Sequence, residues 1–140
     1  MSIGFVMLCH TALDRAAEVA RHWAERDCPV VIHVDKRVAK PAFDGLVAAL
    51  ADLGNIRFSG RFACEWGTWG IVAATQAAST IILKDFPDVR HVFLASGSCL
   101  PLRPVDELVR YLDEAVRVRM LRRTKGPLLV PAGCVGSVTV

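Results

Sequence analysis

The residues with the clearest chemical potential follow short apolar segments, at points where strands are expected to end. His10 follows the apolar run Ile3 to Cys9, and the triplet Asp35-Lys36-Arg37 follows Val30 to Val34. A carboxylate at a strand end can accept hydrogen bonds from a ribose or a uracil ring, and the two adjacent cations can offset the charge of a diphosphate. For Asp35 a solvated turn acid is an equally good interpretation, and adjacent cations after a strand, such as Lys36 and Arg37, are more often simply solvated.

Cysteine and histidine residues suggest a second chemistry, a thiol nucleophile with a histidine base. Cys9 precedes His10, and Cys99 lies in the loop Ser96 to Cys99 after a later apolar run. Unpaired cysteines are more often small buried apolar residues, so this Cys/His enzyme is the lesser alternative. The spacing of Cys9, His10, His33 and Cys64 matches no metal-binding pattern, and we predict no metal site.

Two tryptophans belong to the segment Trp66-Gly67-Thr68-Trp69-Gly70, which we interpret as an aromatic and glycine turn. Trp66 can stack on a base or sugar ring or pack within the protein. For Trp69 we expect packing beneath the helix that follows.

Alternation of apolar runs and amphipathic stretches predicts the elements that position these residues. Thr11 and Asp14 resemble a capping box, so we expect the first helix to begin at Thr11, and Pro41 is expected to open the second. The predicted strands are Ile3 to Cys9, Val30 to Val34, Ile56 to Ser59 and His91 to Ala95, and the later helices are Ile71 to Leu83 and one from Pro104.

This order of strands and helices predicts an α/β fold, with an open, mostly parallel sheet that carries helices on both faces. Ligands of such sheets bind beyond the carboxyl ends of the strands, where the loops above lie. The sequence lacks the GxGxxG, GxxxxGK[ST] and GxSxG motifs. Dinucleotide-binding enzymes, P-loop enzymes and α/β-hydrolases are therefore disfavoured.

Charge and composition restrict the remaining classes. The 140 residues are 53% hydrophobic with a net charge of +3, which fits one folded core. The first 114 residues contain 12 Lys or Arg against 14 Asp or Glu, whereas 115–140 contain five basic residues and no acid. The basic balance therefore comes from the tail, and we expect no nucleic-acid partner. Five scattered cysteines favour a reducing compartment, and no run approaches the roughly 20 apolar residues of a membrane span.

Four segments in order resemble the core-2/I-branching glycosyltransferase family, which includes peptide O-xylosyltransferases. The resemblance covers residues 3 to about 114. The segments read IGFVMLCH from Ile3, VIHVDKR from Val31, WGTWGIVAAT from Trp66 and FLASGSCLPLR from Phe93.

The resemblance implies the Rossmann-like nucleotide-binding half of a GT-A fold. It further implies transfer of N-acetylglucosamine or xylose from a UDP-sugar to a glycan or protein hydroxyl, with inversion and without a metal. The positions that match the family's UDP contacts are Leu8, Cys9, His10, Asp35, Lys36, Arg37, Cys64, Glu65 and Trp66. Cys99 stands where many relatives carry an acid, which is a departure from the family pattern.

The family's catalytic base lies beyond the matched region, so we predict no catalytic residue here and expect the chain to be inactive by itself. We predict a donor-binding domain at 1–114 and an atypical tail at 115–140, produced by a truncation or a lost reading frame. The alternative function is a non-catalytic nucleotide-binding or protein-interaction module. We expect a cytoplasmic location, or one peripheral to a membrane, with no transmembrane segment.

Overall fold

A computed structural model describes residues 3–65, 67–99 and 101–118, the last four by their backbone. Strands and helices alternate four times along the chain. The elements are β1 (Ile3–Cys9), α1 (Leu13–Ala24), β2 (Val30–Val34), α2 (Lys40–Ala49), β3 (Ile56–Phe58), α3 (Trp69–Asp85), β4 (His91–Ser96) and α4 (Val105–Val118). The predicted α/β fold class is confirmed.

The strands form one parallel sheet in the order β3-β2-β1-β4. Phe5 of β1 lies opposite Val30 of β2 and Phe93 of β4, which fixes the register on both sides of the central strand. The chain builds outward from β1 to β3 and then returns to place β4 on the other side of β1. Because the strands are parallel, the carboxyl ends of all four lie at the same edge of the sheet, together with the loops that follow them.

Alternate residues of β1 supply two separate cores. Phe5 and Met7 face the layer that contains α1, and Phe5 stacks on Trp23 with ring centroids 4.1 Å apart. Val6 faces the opposite layer, where it packs with Ala78 and Ile82 of α3. This two-residue period buries β1 and β2 on both faces, which explains why both strands read as continuous apolar runs.

The predicted start of α1 is wrong. The helix begins at Leu13 instead of Thr11, and Ala12 precedes it in the left-handed region with φ 47°, without a side-chain cap. The Ala12 carbonyl accepts the first helical bond from the Ala16 N–H, so Thr11 lies outside the helix and cannot form the expected capping box with Asp14.

The predicted turn before α3 is also wrong in part, because Trp69 and Gly70 belong to the helix itself. Trp69 is 71% exposed, so it does not pack beneath α3 as expected. Gly70 allows the start of α3 to pack closely on the segment before it, because a Cβ at this position would lie 2.2 Å from the Ala63 carbonyl oxygen. The first turn of α3 therefore rests on the backbone of the preceding segment, and the bulky Trp69 points elsewhere.

Candidate functional site

A cavity of about 350 Å³, with charged and polar side chains in its wall, lies at the carboxyl edge of the sheet. The ends of β1 and β2, the segment 61–65 and the start of α3 enclose it. Its lining residues are Leu8, Cys9, His10, His33, Asp35, Arg37, Cys64, Glu65 and Ile71. Sheets of this type bind ligands at this edge, so we take this cavity as the candidate site and call it the strand-end cavity.

The structure brings most of the predicted UDP-contacting residues together here. Those that line the strand-end cavity are Leu8, Cys9, His10, Asp35, Arg37, Cys64 and Glu65. Lys36 is exposed and is not among the lining residues. Trp66 lies outside the described residues, so its predicted contact stays a prediction.

Asp35 is the most constrained side chain of the cavity. Its Oδ1 accepts hydrogen bonds from the Arg37 N–H (2.8 Å) and Nε (3.0 Å). Its Oδ2 accepts from Arg37 Nη2 (2.9 Å) and from the Cys64 N–H (3.0 Å). A carboxylate has about four acceptor positions, and these four bonds fill them. The buried carboxylate is therefore fully hydrogen-bonded within the protein. The Arg37 hydrogen bonds hold the pKa of Asp35 well below its usual range, and the group is ionised at neutral pH.

Arg37 joins three parts of the cavity wall. Besides binding Asp35, its Nη2 donates to the Cys64 carbonyl at 2.8 Å, and Nη1 lies 4.0 Å from Glu65 Oε1. The guanidinium side chain is 57% exposed, so its charge reaches the open part of the site. Arginine in this position can bind an anionic oxygen while it keeps the bond to Asp35.

Arg61 is a structural support that the sequence did not reveal. It donates to the backbone carbonyls of Asp35 (2.9 Å), Lys36 (3.2 Å) and Val38. Its guanidinium carbon also lies 4.9 Å from the centre of the Phe43 ring. One side chain therefore fixes the loop that follows β2. No local pattern indicates this role, since the bonds join positions more than 20 residues apart.

His33 and Ile71 also line the cavity and were not predicted. His33 is buried in β2, and its Nε2 accepts a hydrogen bond from the Phe62 N–H at 2.9 Å. Burial lowers the pKa of His33, so the ring is neutral at pH 7. The strand pattern placed His33 inside the sheet but could not show that its ring meets a cavity.

The cysteines do not support a nucleophilic site. Burial raises the pKa of Cys9 to about 12, and burial also raises the pKa of Cys64. Such thiols stay protonated and are poor nucleophiles. Cys99 is exposed and lines a different depression from Cys9 and His10.

That second depression is larger, about 580 Å³, and predominantly apolar. It lies between α4, Trp23 of α1 and the face of the sheet that carries Phe5. We call it the α4 groove. It is lined by Phe5, Trp23, Phe93, Ala95, Cys99, Pro101, Leu102, Arg103, Pro104, Val105, Glu107, Leu108 and Tyr111. Among the described residues, none of the predicted UDP-contacting residues belongs to it.

Within residues 3–65, 67–99 and 101–118, no group of three or more His, Cys, Asp or Glu side chains is arranged to hold a metal ion. In the same residues, no helix has both the length and the apolar character that crossing a bilayer requires. Metal-independent action and the cytoplasmic location stay predictions.

A four-stranded parallel sheet with helices, and with a cavity at the carboxyl ends of its strands, is an α/β Rossmann-like arrangement. The sequence profile described as Core-2/I-Branching enzyme matches residues 3–125. The chain therefore belongs to the core-2/I-branching enzyme family, and its kind of function is that of a glycosyltransferase. This confirms the resemblance seen in the sequence motifs. No curated protein matches the chain significantly.

The family match continues past residue 114, and α4 continues to Val118. Residues 119–140 lie outside the described residues. The division into a donor-binding domain and an atypical tail of different origin therefore stays a prediction.

Proposed function

We propose that the strand-end cavity binds the nucleotide of a UDP-sugar, from which the family's chemistry transfers N-acetylglucosamine or xylose to a glycan or protein hydroxyl with inversion. The observation that carries this proposal is the convergence of Leu8, His10, Asp35, Arg37 and Cys64 on one cavity. These residues come from three separate parts of the sequence, and the resemblance had already singled them out as nucleotide contacts.

The chemistry of the cavity suits a nucleoside diphosphate. A volume of about 350 Å³ is within the usual range of small-molecule sites and can accommodate a nucleoside. Leu8 and Ile71 supply apolar surface for a base. Arg37 and His10 supply donors for anionic oxygens at the exposed side.

In this proposal Asp35 holds Arg37 and the backbone at Cys64 in position in the cavity wall, in addition to any contact with the ligand. Its acceptor positions are filled by Arg37 and Cys64, so a ribose or uracil donor can bind Asp35 only by replacing one of those bonds. Loss of the carboxylate would remove the bonds to Arg37 and to the Cys64 N–H together.

Isothermal titration of the purified chain with UDP tests the proposal. We expect binding that weakens at least tenfold in Asp35→Ala. Asp52→Ala is the matched control, because Asp52 is an exposed acid that binds Arg21 at 2.7 Å and does not line the cavity. UDP affinity that is equal in wild type and Asp35→Ala would contradict the assignment.

The same titration tests the metal. If the donor binds without a metal, UDP affinity will be equal in EDTA and in manganese chloride.

An activity assay tests the reaction. We expect the 140-residue chain, assayed by itself, to bind the donor without transferring its sugar, because the resemblance assigns the catalytic base to positions beyond those matched here. Sugar transfer to an added acceptor would refute that expectation.

One observation supports the alternative of an interaction module. β4 forms an edge of the described sheet, and Leu94 within it is an exposed large apolar residue. Such an edge can pair with a strand of a partner. Concentration-dependent association in sedimentation, together with no UDP affinity, would favour this function over donor binding.

A further inference from the structure

His33 is the most deeply buried polar residue of the strand-end cavity. It is 1% exposed, yet it is one of the lining residues. Residues alternate along β2, so His33 lies on the same face as Val31, which packs against Ala78 of α3. The ring therefore forms part of the buried wall of the cavity, whereas Arg37 lies at its exposed side.

The hydrogen bonds of His33 determine which ring nitrogen carries the proton. Nε2 accepts from the Phe62 N–H at 2.9 Å, so in the neutral ring Nε2 has no proton and Nδ1 has one. The Phe62 ring lies beside the imidazole with centroids 5.9 Å apart and planes 24° apart, which holds its orientation.

The Nδ1–H donor has no hydrogen-bond partner among the described residues. Among the described residues, Trp23 Nε1 is the side-chain nitrogen that is both fully buried and without a hydrogen-bond partner. Nδ1 of His33 is not among those enclosed atoms, and His33 lines the strand-end cavity, so we place this donor at the cavity wall. A donor at a cavity wall can bind water, and a ligand that displaces this water must offer an acceptor or leave the donor unpaired, which is costly.

We propose that His33 Nδ1–H donates a hydrogen bond to a carbonyl oxygen of the nucleobase bound in the strand-end cavity. This proposal rests on the proposed nucleotide-binding function. A neutral donor suits an uncharged carbonyl, and the apolar residues Leu8 and Ile71 share the cavity with it. The charged Arg37 at the exposed side is suited to the diphosphate instead.

Two substitutions distinguish the roles of the two ring nitrogens, Nε2 as acceptor and Nδ1 as donor. In His33→Gln the amide oxygen can replace Nε2 as acceptor for the Phe62 N–H, but no donor occupies the position of Nδ1. In His33→Asn the shorter amide can place a donor near the Nδ1 position, but the Phe62 N–H loses its acceptor. We expect His33→Gln to melt close to wild type and bind UDP about tenfold more weakly, the effect of one lost hydrogen bond.

His33→Asn should show the opposite pattern, with a lower melting temperature and a smaller loss of UDP affinity. A purely structural role predicts that affinity falls in step with melting temperature in both variants. That parallel behaviour would overturn the proposal, and the crossed pattern would support it.

Nitrogen-15 NMR of wild-type histidine side chains provides a test that does not depend on variant folding. We expect a protonated Nδ1 for His33 and a change of its signal on addition of UDP or uridine, but not of inorganic phosphate. No change with uridine, or a change with phosphate alone, would overturn the assignment to a nucleobase.

The outcomes also distinguish the two proposals. If the wild-type chain does not bind UDP, the proposed function fails and this inference fails with it. If the wild type binds UDP and His33→Gln binds it equally well, the inference fails and the proposed function stands.

Discussion

The strand-end cavity and the α4 groove lie on the same sheet but are built by different forces. The strand-end cavity depends on hydrogen bonds, which are directional. Asp35 accepts bonds from Arg37 and Cys64, and Arg61 donates to three backbone carbonyls of the loop that follows β2. The α4 groove depends on apolar contact, such as the stack of Phe5 on Trp23. Hydrogen bonds demand fixed angles and distances, whereas apolar contact tolerates adjustment.

This difference predicts where substitutions will affect ligand binding. Changes in the bonded framework should alter stability and UDP affinity together, because each bond positions a wall of the cavity. Changes at the rim of the α4 groove should alter neither. The following experiments test this contrast, beginning with the largest expected effect.

Gly70→Ala should lower the free energy of unfolding by about 2–3 kcal/mol, because the new Cβ would lie 2.2 Å from the Ala63 carbonyl oxygen. Moving that backbone also strains the Cys64 N–H bond to Asp35, so UDP affinity should fall. Urea denaturation and titration measure the two effects. In the control Gly45→Ala, where no atom lies within 4 Å of the new Cβ, helix α2 should gain about 0.5–1 kcal/mol. Equal stabilities for the two variants would contradict the packing argument.

Arg61→Met should cost about 2 kcal/mol, because the carbonyls of Asp35, Lys36 and Val38 lose a charged donor while the aliphatic stem is largely retained. UDP affinity should fall as the loop after β2 loosens.

The matched control for Arg61→Met is Arg57→Met. Arg57 also donates to backbone carbonyls, those of Gly54 and Ile56, and its guanidinium lies over the Phe86 ring, but it does not line the cavity. If both variants bind UDP like wild type, Arg61 supports the fold without ordering the site.

Acid should weaken the framework through Asp35. Its pKa is depressed in the folded protein, so its contribution to stability is present above its unfolded pKa of about 4 and is lost as the pH falls below that value. One such group changes the free energy of unfolding by at most about 1.4 kcal/mol per pH unit. Urea denaturation from pH 6 to pH 3 should show a shallower pH dependence in Asp35→Asn than in wild type.

Asp44→Asn controls for the loss of a surface acid, since Asp44 pairs with Lys40 on the exposed side of α2. Identical pH profiles for wild type and Asp35→Asn would contradict a depressed pKa of Asp35 in the folded protein.

Leu102→Ser should produce the smallest effect. Leu102 lines the α4 groove but is 97% exposed, so the free energy of unfolding should change by less than about 0.5 kcal/mol. UDP affinity should stay at the wild-type value. A marked loss of affinity would mean that the groove and the cavity act as one site.

The sequence predicted the strands more accurately than the helix starts. β1 and β2 have the predicted bounds, because continuous apolar runs are buried on both sides of a parallel sheet. The starts of α1 and α3 differ from prediction, because Ala12 adopts a left-handed conformation and Gly70 packs on the Ala63 backbone. Both depend on neighbours that the local pattern does not specify.

For the candidate site, the family motifs identified residues that the fold brings to one cavity, including His10, Asp35 and Arg37. They did not reveal His33 or Arg61. His33 reads as an ordinary interior strand position, and its role follows from the bond that Phe62 makes to it. Arg61 reads as an isolated surface cation.

The sequence by itself determined the class of fold, the family and the segments that end at the edge of the sheet, because apolar periodicity and local motifs are properties of adjacent residues. The tertiary structure decided which polar groups remain free for a ligand. Asp35 has its acceptor positions filled, whereas His33 keeps a donor without a partner among the described residues. That distinction depends on hydrogen bonds from segments nearly 30 residues away, and only the folded chain brings those groups within bonding distance.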